Sequence, residues 1–334
     1  MKRVNSVDPE QNGLTKSLNK SVIKLLLSIS LLYVLMVKMD LSEVIAIVAG
    51  LDPLFLGAAI LLTMGAVILS AYKWQLLLEA RGWPVSLALL TRCYFVGLFM
   101  NNFLPSSIGG DLMRIFQVGS MIGDRNEAAA SVVVERLLAT IGLLLLAVIA
   151  LVPNRAFLGS VLYPILSCFL LCLVLTYILY NPAVIRPLAN IPGKWWQQVV
   201  AAIRKIGGVI QAFRSYPAAV AKVIVYSVMF QMVVVLINYY LLKAMDITLI
   251  SLWHCTLMIP IISAVSMLPV SINGLGVREG AYVLLFGKLG LSAAQALTLS
   301  LSFFIIVTIV SLLGGVFFVM EREKQQYVVT RELQ

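Results

Sequence analysis

The chain has 334 residues, of which 61% are hydrophobic and 12% charged, and its mean hydropathy is +0.98. That balance excludes a soluble globular domain, and apolar runs of about 20 residues recurring along the chain indicate a polytopic all-α membrane protein. The net charge of +10 decides less than its placement, because orientation in a membrane follows where Lys and Arg fall.

Residues 1–21 are polar, with Lys2, Arg3, Lys16 and Lys20, and read as a cytoplasmic tail. Residues 22–38 form the first predicted span. No small-x-small cleavage site follows it, so a removable signal is not expected. The loop from Lys38 to Asp52 carries Asp40, Glu43 and Asp52 against one lysine and is placed outside. Residues 53–72 return. Lys73, Arg81 and Arg92 then mark a cytoplasmic loop, with Trp74 and Trp83 at the interface.

Residues 86–118 are predicted to enter the membrane from the cytoplasm, turn at Asn101–Ser107 and go back. Residues 119–127 form a cytoplasmic turn, 128–152 a span, and 157–180 the return span. Residues 181–216 hold Arg186, Lys194, Arg204, Lys205 and Arg214 without one acid, which places them in the cytoplasm. Within them Trp196, Val199, Ile203, Ile206, Ile210 and Phe213 recur every three or four residues. That stripe fits a helix on the membrane surface, with residues 195–214 toward anionic head groups, or equally a linker helix packed on its own protein. Residues 217–241 span outward, 251–286 form a second hairpin entering from outside, 292–319 span inward, and 320–334 are a cytoplasmic tail.

The membrane domain, 22–319, thus divides into two units of span, span, hairpin, span. They cover 22–152 and 157–319 and have opposite orientations. Both termini are predicted to be cytoplasmic.

Each hairpin contains the same short pattern. Residues 104–114 read LPSSIGGDLMR and residues 268–278 read LPVSINGLGVR. Without a gap, Leu104/Leu268, Pro105/Pro269, Ser107/Ser271, Ile108/Ile272, Gly110/Gly274 and Arg114/Arg278 coincide. Broken helices at matching places in two halves of a membrane chain point to a transporter binding site, whereas a single copy would read more simply as a Pro kink. Gly109 and Gly110 suit a sharp reversal, as do Asn273 and Gly274 in the second copy. The helix that follows would turn free N–H groups toward negative charge.

Asp111, Glu135 and Glu279 stand against Arg114, Arg136 and Arg278 in apolar surroundings. A charge in mid-helix costs about 2.5–3.5 kcal/mol on insertion scales, so six must pair or line a wet cavity. Either they form a structural ion-pair network, or the arginines receive an anionic group while the acids hold them in place. Arg278 and Glu279 are sequence neighbours, so partners across the repeat are expected: Arg278 with Asp111 or Glu135, and Arg114 with Glu279. Glu135 and Arg136 project about 100° apart, which suggests one toward the first hairpin and one toward the second repeat. Arg136 could alternatively snorkel to the interface. Asp111 could merely cap its helix. Asn101 and Asn102 either satisfy the broken backbone or contact the ligand.

Cys93, Cys168, Cys172 and Cys255 all lie in apolar segments and read as free, buried thiols. His254 is the single histidine. No metal, cofactor or nucleic-acid partner is expected.

NNFLPSSIGGDLMR, ASVVVERLLA and LPVSINGLGVREGAYVLLF resemble the transmembrane domain of lysylphosphatidylglycerol synthase/flippase proteins and their stand-alone relatives, over about residues 20–320. The resemblance implies movement of a phospholipid or polyprenyl-linked lipid across the cytoplasmic membrane, with an oligomer compatible. The chain ends at Gln334, so it is not expected to carry the aminoacyl-transferase domain or to make the aminoacylated lipid itself. Asn273 stands where the family's second motif more often has glycine. The competing readings are a lipid-diphosphate phosphatase-like enzyme, a small-solute secondary transporter and a structural membrane partner. The substrate-binding set predicted for the transporter is Arg114, Arg136, Arg278, Asp111, Glu135, Glu279, Asn101, Asn102, Ser107, Gly109, Gly110, Ser271, Asn273 and Gly274.

Overall fold

A computed structural model describes residues 41–103, 108–151, 170, 174, 193–267, 271 and 274–332. Among these every regular element is an α-helix: α1 (Leu41–Ala49), α2 (Pro53–Ala80), α3 (Leu87–Asn101), α4 (Ile108–Ile122), α5 (Arg125–Ala150), α6 (Lys194–Ala212), α7 (Pro217–Ala244), α8 (Leu252–Ser266), α9 (Val277–Gly287) and α10 (Ala293–Glu332). The expected span 22–38, all of the expected span 157–180 except Leu170 and Val174, and Cys168 and Cys172 lie outside the described residues. The other two cysteines, Cys93 and Cys255, are buried.

Among the described residues, four helices are long and apolar enough to cross a membrane: Pro53–Ala80, Arg125–Leu151, Pro217–Ala244 and Ala293–Met320. The helices α3 and α8 are apolar but have only 15 residues each. At 1.5 Å per residue that is about 22 Å, short of the roughly 30 Å hydrocarbon layer. The short arms stand where the sequence places its two hairpins. α3 ends at Asn101 and α4 begins at Ile108, which brackets the predicted turn.

Several predicted boundaries move. The segment read as an outer loop contains α1, because Val44, Ile45, Ile47 and Val48 give it an apolar helical face and Val44 is buried. The second span does not stop at residue 72. α2 starts on Asp52, whose carboxylate accepts the Leu54 amide at 2.8 Å, with Pro53 as first helical residue. It runs on through Lys73 and Trp74 to Ala80. Gly82, at φ 84°, then lets the Trp83 amide reach back to the Leu78 carbonyl at 2.9 Å. The predicted turn at 119–127 shrinks to Gly123–Asp124, since the Asp124 side chain caps α5 through the Asn126 and Glu127 amides.

By contacts the chain falls into two units, one of residues 1–50 and 262–301, the other of residues 51–261 and 302–334. In the second, α2 and α7 run side by side in opposite directions. The Asp52 amide meets the Ala244 carbonyl at 2.9 Å at one end, and Leu77 packs with Val223 at the other. That second contact belongs to a cluster with Val134 and Leu138 of α5, and Ile210 and Phe213 at the end of α6. The C-terminal part of the α6 stripe therefore packs on its own protein, as the linker-helix alternative requires.

Close helix crossings use glycine. A Cβ on Gly110 of α4 would overlap the Gly97 carbonyl of α3, one on Gly142 of α5 would lie 2.6 Å from the Ser227 Cβ of α7, and one on Gly314 of α10 would overlap the Phe95 carbonyl. In the first unit, α1 is tied to the start of α10 by the Ser292 hydroxyl, which donates to Glu43 at 3.0 Å.

Candidate functional site

The first motif and α5 build a charged cluster inside the second unit. Arg114 lies two turns into α4 and is 2% exposed. Its Nη2 sits 2.5 Å from Asp111 Oδ1 and 3.7 Å from Glu135 Oε2. Arg136 clasps the same aspartate with two nitrogens, Nε at 3.0 Å from Oδ2 and Nη2 at 2.8 Å from Oδ1. Glu135 is 3% exposed and takes Lys73 Nζ of α2 at 3.3 Å.

Sequence reasoning missed Lys73, which it placed in a loop with Trp74 as an interfacial residue. Both are buried in mid-helix, Lys73 at 1% exposure. The signal that could have found them is spacing. Ser70, Lys73, Trp74 and Leu77 are all buried, a stripe with steps of three, one and three that continues the buried face of α2.

Aromatic rings fix the cations. The Arg114 guanidinium lies 4.0 Å from the centre of the Tyr94 ring and 5.0 Å from that of Trp74. The Trp74 indole donates to the Ser131 hydroxyl at 2.8 Å, and the two rings meet edge to face. Lys73 Nζ stands 4.7 Å over the Phe230 ring of α7. Such cation–π contacts are worth about 2 kcal/mol when desolvated.

Two expectations from the sequence are corrected. Glu135 and Arg136 do not divide between the two repeats. Arg136 reaches Asp111, and Glu135 faces Arg114, so both serve the first hairpin. An arginine side chain is long enough to overcome the 100° offset. Arg136 is also half exposed, at 49%, so it is paired and open at once. Asp111 is inside the first turn of α4, and its carboxylate serves two arginines rather than acting only as a cap.

The amides resolve differently from each other. Asn101 Oδ1 accepts the Gly110 amide at 2.8 Å and so satisfies backbone freed by the break. Asn102 Nδ2 donates to the Ser311 hydroxyl of α10 at 2.7 Å. Gly109 and Gly110 are both helical. Gly110 serves the crossing with Gly97 rather than the chain reversal. Ser107 lies outside the described residues.

The second motif lies in the first unit. Glu279 is fully buried. Its Oε2 accepts the Gly276 amide at 2.6 Å and its Oε1 takes Arg278, with Nη2 at 2.5 Å and Nε at 3.0 Å. The Ser300 hydroxyl adds a contact at 3.4 Å. The sequence reading set this neighbour pair aside in favour of partners across the repeat. It forms because Glu279 folds back over the start of α9, where the long Arg278 side chain can follow. Gly274 and Gly276 take φ of 76° and 80°, which glycine adopts without strain. Ser271 is buried, and its Oγ has no hydrogen-bond partner among the described residues. Asn273 lies outside them.

At the cytoplasmic end assigned from sequence, Arg81 pairs with Glu127 at 2.5 Å. That bond holds the guanidinium above its ordinary pKa. His254, the single histidine, has Nδ1 3.1 Å from the Ser251 hydroxyl at the start of α8.

Chemically, the cluster of Lys73, Arg114, Arg136, Asp111 and Glu135 sets three cations against two carboxylates. One positive charge is left over. Arg114 Nη1 and Glu135 Oε2 are buried without hydrogen-bond partners among the described residues. A surplus charge beside an unused guanidinium N–H is what an incoming anion would satisfy.

The family model of the lysylphosphatidylglycerol synthase TM region matches residues 21–315. The chain is similar to UPF0104 membrane protein PH1989 of Pyrococcus horikoshii, with 23% identity covering 91% of this chain and 98% of that protein. It is also similar to UPF0104 membrane protein MJ1595 of Methanocaldococcus jannaschii, with 25% identity over 37% of each chain.

Proposed function

The chain belongs to the lysylphosphatidylglycerol synthase transmembrane-region family, and from that premise we propose that it is a flippase or transporter of a phospholipid or other anionic lipid head group. The observation that carries the reading is the surplus positive charge of the cluster at Arg114, whose Nη1 has no hydrogen-bond partner among the described residues. A network serving only to hold helices together would gain most from neutrality. The head group would sit on Arg114 and Arg136, and the acyl chains would remain in the bilayer, so a modest polar path suffices. The half-exposed Arg136 is the natural first contact. The inverted arrangement of 22–152 and 157–319 and the cytoplasmic-membrane location belong to this proposal, as does the absence of enzymatic chemistry.

Arg114→Lys is the decisive variant. Lysine keeps the charge but loses the planar fork and the guanidinium's contacts with the Tyr94 and Trp74 rings. The variant is expected to fold yet lose most transport of a head-group-labelled lipid in proteoliposomes, while Lys222→Gln on the exposed face of α7 keeps it. Full transport by Arg114→Lys would make the arginine structural and the ion-pair network the better account.

A further inference from the structure

The two carboxylates of the cluster are served unequally, and we propose that binding of an anion at Arg114 is coupled to uptake of a proton by Glu135. The inference rests on the anion-site reading above.

Asp111 receives three N–H donors, one from Arg114 and two from Arg136. Glu135 has Lys73 at 3.3 Å on Oε1, Arg114 only at 3.7 Å on Oε2, and no hydrogen bond on Oε2 among the described residues. The titratable and charged groups facing Glu135 are Lys73 from α2, Arg114 from α4 and Tyr94 from α3, together with Arg136 on its own helix. From α7 the nearby group is the Phe230 ring over Lys73, and α6 meets α5 through the apolar cluster around Ile210 and Phe213.

Before an anion arrives, Glu135 faces the positive charges of Lys73 and Arg114. An anion on Arg114 engages one of those two positive charges and brings a like charge next to the carboxylate. Like charges that close in a poorly polar medium repel strongly, and the relief is protonation. The proton from bulk water adds to a lone pair of Oε2, the oxygen without a donor, and no bond breaks. The resulting O–H can then donate to the anion. A monoanion and a proton arriving together add no net charge to the interior of the membrane. By linkage, protonation of Glu135 favours anion binding to the same degree.

The test is a calorimetric titration of the purified full chain with short-chain phosphatidylglycerol near neutral pH, where its phosphodiester does not titrate. Two buffers of unlike ionisation enthalpy are used. The heats should differ as expected for uptake of about one proton per lipid bound, and binding should weaken as the pH rises. The variant Lys73→Met/Glu135→Gln keeps the surplus of one positive charge but lacks the Glu135 carboxylate. Whatever affinity it retains, its heat should be the same in both buffers. Where that variant does not bind, infrared difference spectra of the wild-type chain decide. Lipid addition should produce a carboxyl C=O band that shifts in heavy water, unlike the lipid esters, and no such band overturns the proposal. Equal heats in wild type overturn the coupling and leave the anion site standing. A buffer-dependent heat that survives in the double variant takes the proton away from Glu135. No binding at all by wild type removes the anion site and the coupling with it.

Discussion

Lys73 Nζ lies 3.3 Å from Glu135 Oε1, with both side chains at 4% exposure or less. The pair joins α2 to α5 inside the apolar part of the bundle. It costs each group most of its hydration, and the ring of Phe230 repays only part of that for the lysine.

Breaking the pair should therefore be worse than removing it. Glu135→Gln leaves Lys73 buried without its carboxylate and is expected to destabilise by about 3–5 kcal/mol. Lys73→Met/Glu135→Gln should regain much of that loss in a thermal unfolding assay. If the double variant loses the sum of the two singles, the residues do not interact.

The crossing of α3 and α4 should tolerate no added carbon. Gly110→Ala places a methyl on the Gly97 carbonyl and near Asn101 Oδ1. It should cost roughly 1–3 kcal/mol by forced separation of the two arms. Gly208→Ala in α6 meets open space and should be neutral or slightly stabilising, by up to about 1 kcal/mol. Equal melting temperatures for the two variants would show that the crossing is loose.

Orientation can be read by labelling. In a variant free of the four native cysteines, Ser215→Cys and Ser42→Cys both present exposed positions. A membrane-impermeant thiol reagent applied to intact cells should label Ser42→Cys and leave Ser215→Cys untouched. Labelling of Ser215→Cys from outside would invert the proposed topology and remove the hairpin count on which it rests.

The first hairpin was legible because its signals are local. Pro105, Ser106 and Ser107 cannot continue a helix well, and the arms end beside them, at Asn101 and Ile108. The acid and arginine set was legible because such residues are rare in apolar runs. Its pairing was not. Arg278 bonds its own neighbour Glu279, since helix starts let a side chain fold back, and angular spacing does not describe that. Lys73 was hidden by company: Arg81 and Trp83 follow it closely, and together they resemble a loop. Only the helical continuation through Leu77 and Leu78, both fully buried, separates a core lysine from an interfacial one.

The contact of Gly314 with Phe95 has a mechanical consequence. With no Cβ on Gly314, the backbones of α10 and α3 touch directly, and the Phe99 ring lies close to the neighbouring Gly315. The Asn102 bond to Ser311 pins the end of the hairpin arm a turn further along. Two fastenings on one helix act as a clamp, so the arm can pivot with α10 but cannot slide along it. Any tilt of α10 is thereby passed to that same end of α3, where Asn101, beside Asn102, holds Gly110 one turn before Arg114.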